Sequence, residues 1–266
     1  MSNETYFKVK SFITKYGVFY AIAFIIAFAL KYYYSKAESD NLDWILAPTA
    51  RWVQILCGIS FEKEQHIGYV NHAYQFIIAP ACAGINFMII AYSTLIYSFI
   101  HYMNTVKSRL LWMVSCLGIV YLYTILVNSL RIIPSIFLLQ LDIYNGWITP
   151  ERIHTIEGTI VYFASLLILY IIADEVLKHF TPVSGKDRQT GESYTGKSSI
   201  NMPYKYSIPV FLYFAITLGI PFLNGAYRNN KTNFLEHAVL VTIVCSIVIL
   251  LLCLALILKK HFKRVC

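Results

Sequence analysis

Apolar residues in this chain fall into long unbroken runs, not into the alternating or three-and-four spacing of half-buried elements. The clearest run extends from Ala238 to Leu258, where only Thr242 and Ser246 interrupt. Others cover about 16–34, 84–101, 110–130, 156–173 and 207–223. Each approaches the ~20 residues a helix needs to cross a bilayer, so six spans are predicted. Two further stretches carry mixed signals. Residues 44–59 contain Pro48, Arg51 and Gln54, and residues 132–147 (IIPSIFLLQLDIYNGW) contain Pro134. The first reads as a poor span, a re-entrant segment or an interfacial helix, and the second is similar. The predicted fold class is therefore an all-α polytopic membrane protein with six to eight transmembrane helices.

The segments between the runs differ in character. Within 60–80, the stretch GYVNHAYQFIIAP is rich in Tyr, Val, Phe and Ile and starts at Gly68. It predicts a short extended or hairpin segment outside the cytoplasm. Pro80 then suits the first position of a helix, where its missing N–H costs nothing. Residues 176–206, with SGKDRQTGESYTGKSS, are polar, Gly- and Ser-rich and without period. They read as a flexible cytoplasmic loop. No internal repeat is visible, and 1–266 reads as one membrane domain. The first apolar run follows Lys8, Lys10 and Lys15, as a signal peptide would. It ends in KYYYSKAES without a small-x-small cleavage site, so it is read as a retained span.

Composition supports the bilayer as solvent. Of 266 residues only 14% are charged, against about 25% in soluble domains, and the mean hydropathy is +0.58. The 21 Tyr and 17 Phe suit a chain with many membrane interfaces. The net charge of +8 does not indicate nucleic acid, because the basic residues sit in short loops between apolar runs. With the N-terminus inside, most of the 22 Lys and Arg fall on cytoplasmic segments, as the retention of positive loops requires. This places both termini in the cytoplasm. Of the six cysteines, Cys116, Cys245 and Cys253 lie in apolar runs as small hydrophobes. No Cys/His spacing indicates a metal site, and no disulfide framework is evident. Cys57 and Cys82, both outside, leave a pairing open.

Topology brings three distant residues to one depth. Cys82 lies at the outer start of the 84–101 run, Arg131 at the outer end of 110–130, and His154 at the outer start of 156–173. A thiol, a guanidinium and an imidazole at one level are the parts of a cysteine acyl-transfer site. The thiolate attacks a carbonyl; a helix N-terminus and a neighbouring imidazolium would favour it. His154 exchanges protons near neutral pH. Arg131 stays charged and suits an oxyanion. Gly84 would admit a substrate backbone closely. Asn128, three residues before Arg131, is placed to orient it. Asn86 shares a helix face with Cys82 and is placed to orient the His or bind substrate. Glu157, three residues after His154, is placed to hold the imidazole. Each also has a plainer reading, as an interhelical hydrogen bonder or as a helix N-terminal charge. His66, His72, His101, His179, His237 and His261 read as loop or interface residues.

The local sequences resemble a known family. Ala81-Cys82-Ala83-Gly84-Ile85 resembles the nucleophile motif of the exosortase/archaeosortase family, normally Cys-Ser-Gly. Asn128-Ser129-Leu130-Arg131-Ile132 resembles its Asn-x-x-Arg motif at a span end. His154-Thr155-Ile156-Glu157-Gly158 resembles its His motif, with Gly four residues on. All three occur in family order, over a core of roughly 40–175. The compact chain with Cys-Ala-Gly looks most like exosortase K. Ala83 departs from the family's Ser and leaves that residue's role open. The resemblance implies a membrane-embedded cysteine transpeptidase in the bacterial inner membrane, its site facing outward. It implies that Cys82 cleaves exported proteins bearing a C-terminal motif, apolar helix and basic tail, and passes them to an envelope glycan or lipid acceptor. No metal or organic cofactor is expected.

Two other classes compete. A transporter or channel predicts ionisable residues deep within several spans, and 156–173, 207–223 and 238–258 have almost none. A non-catalytic scaffold of an envelope-polymer export system predicts indifference to replacement of Cys82.

Overall fold

A computed structural model describes residues 3–141, 144, 146–180 and 206–265. In chain order the helices are α1 (Asn3–Lys36), α2 (Asp43–Cys57), α3 (Ile85–Phe99), α4 (Val106–Leu138), α5 (Pro150–Phe180), α6 (Ser207–Phe214), α7 (Ile220–Leu223), α8 (Ala226–Asn229) and α9 (Lys231–Val265). Three strands lie between α2 and α3: β1 (Glu62–Glu64), β2 (Gly68–Asn71) and β3 (Phe76–Ile78). Among the described residues five helices are long and apolar enough to cross a membrane: Lys10–Lys36, Pro80–Tyr102, Val106–Leu138, Pro150–His179 and Lys231–Ala255. The chain is thus an all-α polytopic membrane protein. The run at 207–223 forms a shorter apolar segment whose helix is interrupted by a π-helical stretch at Ala215–Gly219.

Neither ambiguous stretch forms a span of its own. α2 has 15 residues, about 22 Å of helix, short of the ~30 Å hydrocarbon core. It buries Ile45, Leu46, Thr49, Ala50 and Val53 and leaves Trp44, Trp52, Ile55 and Leu56 exposed. Two Trp rings on the open face suit a helix lying at the interface. Within 132–147, α4 continues through Pro134 to Leu138, so these residues lengthen an existing span. The expected loop at 176–206 falls mostly outside the described residues; 176–180 still belong to α5.

The chain divides into two compact units. One comprises Met1–Lys36, Ile85–Leu122 and Leu166–Phe214. Its α3 is the most enclosed helix, with apolar residues buried on all sides, as expected of an inner span. α1 is tied to α3 and the turn after it by tyrosine hydroxyls bonded to backbone carbonyls. Tyr97 Oη donates to Tyr20 O (3.2 Å) and Tyr16 Oη to His101 O (3.3 Å). Here too Asn86 Oδ1 accepts from Lys31 Nζ at 2.7 Å.

The other unit comprises Ala37–Gly84, Tyr123–Ser165 and Ala215–Cys266. The extended segment expected at 60–80 is an antiparallel sheet of order β1-β2-β3, with Val70 opposite both Glu62 and Ile77. Gly68 takes φ +126°, and a Cβ there would meet Ile78 O at 2.5 Å, so no other residue fits. Asp43 Oδ1 of α2 accepts from Tyr69 Oη of β2 (2.7 Å) and faces Lys63 Nζ (3.2 Å). The Tyr69 bond holds the Asp43 carboxyl below its usual range, and burial with the same bond pushes the Tyr69 phenol up to about 12. The sheet is thereby tied to α2 and leads through Ala79 into the site.

Candidate active site

Every part of the site belongs to the second unit. Pro80 opens a 3-10 turn, Pro80–Cys82, as its fixed φ allows. Cys82 N donates to Ala79 O (2.8 Å) and Ala83 N to Pro80 O (3.0 Å). Cys82 is only 8% exposed. Gly84 then takes φ +70°, and a Cβ there would lie 3.2 Å from Thr124 Cγ2 and 3.3 Å from Asn128 Cγ. The close approach that needs this glycine is therefore made by α4, not by a substrate backbone. Ala83 is fully buried, so a hydroxyl there would need a partner within the packing.

Asn128 on α4 is the centre of the arrangement and is fully buried. Its Nδ2 donates to the carbonyl of Cys82. Its Oδ1 accepts from Tyr162 Oη of α5 (2.8 Å) and from Arg131 Nε (3.4 Å). One amide thus ties the cysteine turn, the arginine and α5 together. The expected orientation of Arg131 by Asn128 is present, and it extends to the nucleophile's own backbone.

Arg131 is 4% exposed. Its Nη1 lies 3.0 Å from His154 Nε2. A guanidinium only donates, so Nε2 accepts and the proton of the neutral ring sits on Nδ1. The guanidinium lies over the Tyr162 ring at 5.5 Å and is near the Cys82 side chain. Nη2 is buried with no acceptor geometry satisfied among the described residues. Gly158 packs beside this side chain: a Cβ there would lie 3.7 Å from Arg131 Cδ, in ordinary van der Waals contact.

The structure therefore joins Cys82, Arg131 and His154, and corrects three expected supports. Glu157 does not hold the imidazole; its Oε2 accepts from Ser135 Oγ of α4, and Oε1 is buried without a partner. Asn86 belongs to the other unit and is bonded to Lys31. The charge beside the thiol is the guanidinium, where an imidazolium was expected. Cys57 and Cys82 are both free thiols; Cys57 Sγ donates to Val53 O at 3.0 Å. Sequence reasoning missed Tyr162 and Ser135. Each sits in an apolar run without a motif, and only the helical pairing of α4 with α5 brings them in.

A cavity of about 430 Å3 opens over these groups. Cys82, His154, Glu157 and Ser135 contribute its polar wall; Leu138, Leu139, Ile153 and Phe76 make much of the rest. This is a buried cysteine with a guanidinium and an imidazole beside an apolar cleft, in a chain whose long apolar helices class it as a polytopic membrane protein.

The family comparison agrees with that class. The family model for the transmembrane exosortase (Exosortase_EpsH) matches residues 13–171, more than half of the chain and all three motifs. The chain belongs to the transmembrane exosortase family. No curated protein and no solved structure gives a significant match.

Proposed function

We propose that the protein is a cysteine transpeptidase that cleaves C-terminal sorting signals of exported proteins and transfers the upstream part to an envelope acceptor. The observation that carries this reading is the buried Arg131 guanidinium, bonded to His154 and retaining an unsatisfied Nη2, beside the cavity that Cys82 and His154 line. A buried donor without a partner costs roughly 1–3 kcal/mol, and a developing oxyanion would relieve it.

In this reading His154 is the base and Arg131 the oxyanion donor. His154 Nε2 takes the Cys82 proton and gives up its bond to Arg131. The sulfur attacks the scissile carbonyl carbon, and the oxyanion so formed is met by Nη1 and Nη2. The C–N bond breaks as His154 returns the proton to the departing amine, leaving a thioester on Cys82. An acceptor amine or hydroxyl then attacks, its proton passing to His154, and the C–S bond breaks to regenerate the thiolate. Asn128 and Tyr162 are positioning residues. The substrate reads as an exported chain ending in a short motif, an apolar helix and a basic tail. The acceptor reads as an envelope glycan or lipid, and the setting as the bacterial inner membrane with the site outward and both termini cytoplasmic. The Cys-Ala-Gly motif and compact chain support an exosortase K-like subtype.

The test is a covalent trap. The protein is co-expressed with a tailed substrate and analysed by mass spectrometry, with Cys82→Ala as control. A thioester adduct on Cys82, absent from the control, is expected; a tail removed equally well by Cys82→Ala overturns the mechanism.

A further inference from the structure

The two edges of the small sheet are unlike. β1 is Glu62-Lys63-Glu64, all charged, and charge is how a free edge is kept from pairing with another chain. β3 is Phe76-Ile77-Ile78, with no charge and no proline, and Ile77 is 45% exposed. β3 is the last strand of the order β1-β2-β3, with no further strand beside it among the described residues. An apolar, unblunted edge is a template for an added strand. Four residues beyond Ile78 in the chain comes Cys82, and Phe76, Ile77 and Cys82 line the same cavity. At about 430 Å3 this cavity lies within the roughly 300–1,000 Å3 range of ligand clefts. Its opposite wall is apolar, made by Leu138, Leu139 and Ile153.

We infer that the substrate segment upstream of the scissile bond binds as an extended strand along the outer edge of β3, with an apolar side chain in this cavity. The inference rests on the transpeptidase reading and specifies its substrate mode. An extended chain that runs past the strand's end brings one peptide carbonyl to the nucleophile there. Its side chains alternate, so only one of two neighbouring residues enters the cavity. Its amides alternate likewise, so only one of two successive N–H groups faces β3.

Peptidyl chloromethyl ketones test this on the full-length protein, with alkylation of Cys82 followed by mass spectrometry. The sulfur attacks the methylene carbon, the C–S bond forms and chloride leaves. Acetyl-Ala-Ala-Leu-chloromethyl ketone is compared with an analogue carrying Glu in place of Leu, with two analogues N-methylated at successive amides, and with chloroacetone. The Leu peptide is expected to label Cys82 about tenfold faster than the Glu analogue. One N-methylation, but not the other, should cost about tenfold, the worth of one good hydrogen bond. Ile77→Lys, which gives β3 the character of β1, should slow the Leu peptide by a larger factor than it slows chloroacetone; equal slowing of both overturns strand addition. Equal rates for all the peptides, with chloroacetone reactive, overturn strand addition while the nucleophile stands. No labelling of Cys82 even by chloroacetone overturns the transpeptidase reading and this inference together.

Discussion

Two arginines on one helix are equally buried and differently bonded, and the proposed function assigns them different work. Arg109 and Arg131 are both 4% exposed and both lie on α4. In its unit, Arg109 gives Nε to Met103 O (3.0 Å), Nη1 to Lys15 O (3.0 Å) and Nη2 to Asn104 O (3.5 Å), with its guanidinium 4.6 Å from the Tyr16 ring. Every nitrogen is used, and every acceptor is a backbone carbonyl that cannot change its protonation. In the other unit, Arg131 gives one nitrogen to an amide, one to an imidazole and leaves the third free. Burial is common to both. The difference is a donor left unspent, next to groups that exchange protons, and it is this difference that the proposed oxyanion role of Arg131 uses.

Substitutions sharpen that contrast, read as turnover of a tailed substrate per folded molecule. Arg131→Lys should have the largest effect, a loss of about 10²–10³-fold, the scale for removing an oxyanion donor. Unchanged turnover would break the comparison. Asn128→Ala should follow, with a loss of about tenfold to a hundredfold. It strands the Cys82 carbonyl, Arg131 Nε and Tyr162 Oη, at roughly 1–3 kcal/mol each where burial persists. Tyr162→Phe keeps the ring under Arg131 and loses one bond, about 0.5–1.5 kcal/mol. The loss should be less than about tenfold and confined to kcat, with KM unmoved; a change in KM alone would assign Tyr162 to substrate binding. Arg109→Lys should leave turnover within about twofold while lowering the thermal midpoint in detergent, since bonds to a charged donor are worth about 1.5–3 kcal/mol each. A turnover loss as large as that of Arg131→Lys would erase the distinction.

The apolar runs were legible because a bilayer leaves no alternative to a satisfied helical backbone. The strand segment at 60–80 was legible from its β-branched and aromatic residues. Cys82, Arg131 and His154 were legible from shared depth before any motif entered. Asn128 was half legible: its i, i+3 relation to Arg131 is local, while its bond to Cys82 O joins residues far apart in the chain. Glu157 was misread because its spacing to His154 fits a helix, yet its oxygen is taken by Ser135 on another helix. Gly84 was expected to admit a substrate backbone; the close neighbours of a Cβ there are Thr124 and Asn128 of α4, and its φ of +70° was not anticipated. The stretch after Arg131 was split by Pro134, although a helix in apolar surroundings carries one proline at limited cost when neighbours re-satisfy the freed carbonyl.

The bond from Asn128 to the Cys82 carbonyl also orders events at the ribosome. Cys82 is synthesised before Asn128, Arg131 and His154, each of which arrives on a later helix. At roughly 5–20 residues per second, the thiol spends several seconds in the translocation machinery without its cation or its base. A chain arrested short of Asn128 holds Cys82 without the groups that the proposed function pairs with it. On that proposal, reactivity is conferred from downstream, after the segment that bears the thiol has already been threaded into the membrane.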